Sequence, residues 1–75
     1  MKSNELSTFV KHRRKVLRLT QLELAEKAGV GLRFVRDLEQ GKTSLRLDKV
    51  NQLLSLFGHK LIPGKMRFEE NEQES

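Results

Sequence analysis

Residues 21–40, QLELAEKAGVGLRFVRDLEQ, constrain this chain more than any other stretch. They read as two short helices joined by a tight corner at Gly29. Leu24, Ala25 and Ala28 fall on one face of a 3.6-residue period, and the small Ala25 suits a close helix crossing. Gly29 takes φ > 0 at no steric cost, which ends the first helix and turns the chain. In the second helix, Val35 and Leu38 are three apart and point back at the first. Leu32, Arg33, Arg36 and Asp37 are left facing outward. Arginine is the side chain best matched to guanine in a major groove, and Asp37 could accept from cytosine or orient Arg33.

The pattern is that of a helix-turn-helix, whose second helix enters the groove. Thr20-Gln21, Leu24-Ala25, Gly29-Val30, Val35 and the run Leu38-Glu39-Gln40-Gly41-Lys42 resemble the Cro/C1-type, or Xre, family, over roughly residues 6–58. The run VGLRFVRDLEQGK, continuing into LRLDKVNQLLSLFGHKL, is similar to a narrower group, the HipB-like antitoxins of bacterial toxin–antitoxin operons. The resemblance implies an all-α, lambda-repressor-like bundle of four to five helices with a short C-terminal β-strand that pairs across a dimer. It implies a sequence-specific DNA-binding repressor of its own operon that neutralises a HipA-like kinase toxin.

At 75 residues the chain is expected to form one domain over residues 1–68, with a dimerisation segment at about 59–68 and a tail at 69–75. A domain this small buries only about 60% of its unfolded surface, so compact helical packing or a partner must help it. There is no cysteine, so disulfides and thiolate metal sites are excluded. No apolar run approaches the ~18 residues of a spanning helix and no signal peptide opens the chain, so no membrane partner is expected and the location is read as cytoplasmic. All 15 Lys and Arg lie in residues 1–68, against six acids there. The tail EENEQES holds four Glu and no base. A basic body suits double-stranded nucleic acid, although a solvated basic surface gives the same count. The tail has nothing apolar to bury and is expected to be disordered.

Helix 1 is expected from residue 4 or 5 to about residue 17, with Leu6, Val10, Arg14 and Leu17 on its inward stripe. An arginine there needs a partner, because an unpaired buried charge is costly. The family resemblance supplies Glu39 as that partner, and an exposed Arg14 is the alternative. Arg18 stands where the family often has Gly to end helix 1. Thr20 and Glu23 have the spacing of a capping box for helix 2. Gln21 opens that helix, where free amides favour a phosphate, and in the family this glutamine touches the DNA backbone. Helix 3 is expected over about 31–39 and helix 4 over about 47–57. Between them Lys42 and Thr43 are suited to phosphate contacts, and Arg46 could trade capping for one. Phe34 could pack toward helix 4 or touch DNA.

Leu53, Leu54 and Phe57 exceed what one small core would absorb and are expected at a dimer surface. His59-Lys60-Leu61-Ile62-Pro63 is expected to form a short strand, with His59, Leu61 and Ile62 at a dimer surface, because an isolated strand must pair with something. Met66 and Phe68 could add apolar contacts. No enzyme constellation is present. His12 and His59 are too far apart in sequence for a metal pair, no serine has a base placed to activate it, and Gly29 and Gly31 lack a P-loop pattern. No cofactor is therefore expected. Two rival readings stand beside the antitoxin: a free-standing or phage-type repressor without a toxin, and a protein-interaction adaptor on the same fold.

Overall fold

The computed structural model describes residues 3–65. Among these residues four helices follow one another: α1 Glu5–Val16, α2 Gln21–Ala28, α3 Leu32–Glu39 and α4 Leu47–Ser55. The first two starts are marked in the sequence by capping boxes. Asn4 caps α1 by accepting from Ser7 N–H at 2.8 Å, and the Ser7 hydroxyl accepts from Asn4 N–H at 2.8 Å. Thr20 and Glu23 form the same reciprocal box at α2, at 3.0 and 2.8 Å. Gly31 and Arg46 begin α3 and α4 without a side-chain cap.

All four ends turn through a left-handed residue, at Arg18, Gly29, Gly41 and Gly58. After each, the next amide reaches back five residues: Leu19 to Arg14, Val30 to Ala25, Lys42 to Asp37 and His59 to Leu54. This satisfies carbonyls that the helices leave open. Gly29 has a second reason to lack a side chain, since a Cβ there would lie 2.9 Å from Gln52 Nε2. That same Nε2 donates to the Ala28 and Gly29 carbonyls, both at 2.9 Å, and clasps the end of α2 to α4.

Arg18, at φ +57°, is the exception among three glycines. A left-handed L-residue costs roughly 1–2 kcal/mol, and glycine gives part of that gain back through the entropy of the unfolded chain. Arg18 is exposed, so its removal opens no cavity. Arg18→Gly is therefore expected to stabilise by about 0.5–1 kcal/mol and raise Tm by a few degrees. A thermal melt at matched concentration checks this. An unchanged or lower Tm would mean that the Arg18 side chain holds a compensating contact.

α3 is the central element, packed against both α1 and α2, while α2 also meets α4. The core consists of Val10 from α1, Leu24, Ala25 and Ala28 from α2, Val35 and Leu38 from α3, and Val50, Leu53, Leu54 and Phe57 from the α4 region. Leu6, Phe9, Leu19, Val30, Leu32, Phe34 and Leu45 pack around it. Asn4 Nδ2 also donates to the Gly41 carbonyl at 3.3 Å, tying the start of α1 to the end of α3.

Four expectations need correction. Leu17 is not inward: it is the last residue before the left-handed turn, and it is half exposed. Leu53, Leu54 and Phe57 are not a surplus, because this chain's own core buries all three. Leu32 does not stand fully outward and packs partly against the core. Finally, no strand forms among the described residues, and residues 59–65 run irregularly past α4. A strand is defined by ladder hydrogen bonds, and here the Leu61 amide instead donates to Asn51 Oδ1 at 2.7 Å. Met66, Phe68 and the acidic tail lie outside the described residues.

Candidate nucleic-acid interface

The site is built on the face of α3 turned away from the core. Val35, Leu38 and Glu39 occupy the buried side, so the helical period sends Arg33, Arg36, Asp37 and Gln40 to the other. Arg33 and Arg36 are exposed, the Arg33 side chain by 87%. Gln40 closes this face at the end of α3 and is also exposed. It lies just past the helix end expected at about residue 39 and was not among the candidate contacts. Its signal was the same period, since residue 40 lies four after Arg36.

Beneath this face lies a buried ion-pair network. Arg14 Nε donates to Glu39 Oε2 at 2.8 Å, and its Nη2 donates to Oε1 at 3.0 Å. Nη1 donates to the Leu19 carbonyl at 2.9 Å. Gln21 Nε2 donates to the same Oε1 at 3.0 Å. The side chains of Arg14 and Glu39 are 14% and 2% exposed. The forked guanidinium thus binds α1, the turn before α2, and α3 in one plane, while Gln21 adds α2. The hydrogen-bonded Glu39 carboxylate holds the Arg14 guanidinium even more firmly protonated than usual. The orientation of α3 relative to α1 is fixed by charge as well as by packing, and the Gln21 amide ties α2 to the same carboxylate.

The remaining candidate contacts divide. Asp37 lies between two cations: Arg33 Nε is 3.5 Å from Oδ1, and Lys42 Nζ is 3.6 Å from Oδ2. Thr43 is exposed in the following loop. The Thr20 hydroxyl is engaged as a cap, although the residue itself is exposed. Arg46 is turned onto its neighbour and makes two contacts with Asp48, at 3.2 and 2.7 Å. This hydrogen bonding holds the Asp48 carboxyl below its usual range. A phosphate at Arg46 would have to share the guanidinium with that carboxylate.

The residues expected at a dimer surface separate in the same way. Leu53, Leu54 and Phe57 are buried. His59 rests on Phe9, with ring centroids 4.8 Å apart, and Phe9 meets Phe57 edge-on at 6.2 Å. Leu61 and Ile62 stay exposed and line an open groove with Leu47, Asn51 and Pro63. Ile62 and Leu47 are 71% and 68% exposed, high for large apolar side chains. Among the described residues, no three His, Cys, Asp or Glu lie close enough to hold a metal, and no helix is long and apolar enough to cross a membrane.

A buried charge network that locks two short helices, under an exposed basic helix face, is the arrangement of a helix-turn-helix module. Residues 10–61 match the helix-turn-helix family, and the chain belongs to it. Over 66 residues the chain is 44% identical to an uncharacterized HTH-type transcriptional regulator of Sinorhizobium fredii, a match covering 84% of this chain and 87% of the relative.

Proposed function

We propose that the protein is a sequence-specific DNA-binding transcriptional repressor that acts as a dimer on double-stranded operator DNA. The observation that carries this reading is the outward face of α3, where Arg33, Arg36 and Gln40 are free of the core and held by the network beneath them. Arginine pairs with guanine O6 and N7, and glutamine pairs with adenine N6 and N7. Gln21, Lys42 and Thr43 lie at a helix start or in the loop after α3, where backbone contacts set register, and Thr20 and Arg46 border them. The regulator of S. fredii supports the regulatory role by its name.

One such helix reads only a few base pairs, too few to find one site among many. A second copy supplies the second half-site, with recognition helices about 34–36 Å, one DNA turn, apart. The exposed Leu47, Leu61 and Ile62 provide apolar surface for that copy. At the finer level we propose the antitoxin of a HipA-like kinase, regulating its own operon. The similarity of residues 30–42 and 45–61 to HipB-like antitoxins supports that role.

Binding of the full chain to duplex DNA across a salt series tests the reading. Affinity is expected to fall with a log–log slope of about −0.9 per phosphate contacted. Selection from a randomised duplex library is expected to return a two-fold-symmetric site. Salt-insensitive, sequence-blind or absent binding would favour a protein-interaction adaptor. Co-purification of a kinase-like protein from the native host separates the antitoxin from a repressor without a toxin.

A further inference from the structure

An acid on the outward face of α3 calls for an explanation. Any polyanion approaching this face is repelled by Asp37, so the residue weakens every complex alike unless it does something selective. Its surroundings suggest what that is. The Asp37 side chain is only 19% exposed and lies between Arg33, one turn earlier on α3, and Lys42, just beyond its end. Lys42 is held there by the backbone as well, since its N–H donates a hydrogen bond to the Asp37 carbonyl at 3.0 Å. One carboxylate therefore joins a cation on the base-facing helix to a cation in the loop suited to phosphates.

We infer that Asp37 is a specificity-determining positioning residue, which holds Arg33 in a base-reading pose and restrains it from a sequence-blind phosphate contact. The inference rests on the DNA-binding reading above. Arg33 is otherwise almost fully exposed, on a long side chain with many rotamers. Free of Asp37, its guanidinium would swing to the nearest phosphate, which is the same in every sequence. Held across one helical turn, it keeps a fixed fork for a guanine edge. Ion pairs this exposed contribute little to folding, so the effect falls on discrimination rather than on the fold. Removing an acid should then tighten binding overall while blurring it, which a purely structural role would not do.

The test compares Asp37→Asn with the native full chain on two probes. One is the duplex that the native protein selects from a randomised library, and the other is a mixed-sequence duplex. The melting temperature is expected to stay close to native. Affinity for the mixed duplex is expected to rise several-fold, with a log–log salt slope steeper by about one. Preference for the selected duplex is expected to fall by roughly five- to tenfold, toward that of Arg33→Ala. The double variant Arg33→Ala/Asp37→Asn is expected to discriminate no worse than Arg33→Ala alone. That double variant is also expected to lose the slope increment, because the released guanidinium is its source. A native slope and native preference in Asp37→Asn would overturn the inference. So would a double variant that loses preference beyond Arg33→Ala, because Asp37 would then be reading a cytosine itself. Absence of salt-sensitive binding by the native chain to either duplex would instead overturn the DNA-binding reading, and this inference with it.

Discussion

Glu39→Gln is expected to lower Tm by at least ~12 °C. Removing one partner of a buried ion pair typically costs about 3–5 kcal/mol, because the other charge is left without compensation. For a domain this small, each kcal/mol moves Tm by about 4–8 °C. The remaining charge here is Arg14, whose side chain is only 14% exposed. Its guanidinium donates three hydrogen bonds, two to Glu39 and one to the Leu19 carbonyl. A glutamine keeps the size and one acceptor oxygen but supplies no charge. Arg14→Lys serves as a companion, since it keeps the charge and loses the fork. It is expected to fall between native and Glu39→Gln. Denaturant titration with a constant m-value decides the matter. A loss below about 1 kcal/mol for Glu39→Gln would place the pair among solvated surface bridges.

Arg36→Ala is expected to leave Tm nearly unchanged and to erase preference at one or two base pairs. The Arg36 side chain has no ion-pair or hydrogen-bond partner among the described residues, and the residue is exposed. Alanine at this position keeps the helix, so little folding energy is at stake. A bidentate arginine–guanine contact is worth about 1–3 kcal/mol of discrimination, or roughly 5- to 150-fold. The measurement is selection from a randomised duplex library by the native chain and the variant side by side. Identical selected sites would move specificity away from this arginine.

How much of this was legible depends on how far each feature reaches along the chain. The α2 capping box, the corner at Gly29 and the inward faces of α2 and α3 are local, and spacing alone gave them. The partnership of Arg14 with Glu39 spans 25 residues and became legible only through family resemblance. The Gln52 clasp on the end of α2 bridges 24 residues between neutral groups, which leave no charge or period to notice. The fate of Leu53, Leu54 and Phe57 turned on volume. Four short helices enclose enough space to absorb them, and a linear count of apolar residues does not measure that space. Leu17 fits the stripe arithmetically, but the period ceases to apply where the helix stops. A strand at residues 59–63 asks for hydrogen bonds from another backbone, which one chain does not contain. Arg33, Arg36 and Asp37 were legible as outward-facing. The bridge from Asp37 to Lys42 was not, because it depends on the turn that ends α3.

The separation of the two faces of α3 bears on how such a protein diverges. Positions 33, 36 and 40 face away from the core, whereas positions 35, 38 and 39 belong to it. Exposed substitutions away from special features usually cost within about 0.5 kcal/mol. Duplicated copies of this gene could therefore exchange the outer residues freely and acquire new targets while the inner ones stay under selection for folding. Lineages would drift apart in what they recognise long before they drift in shape.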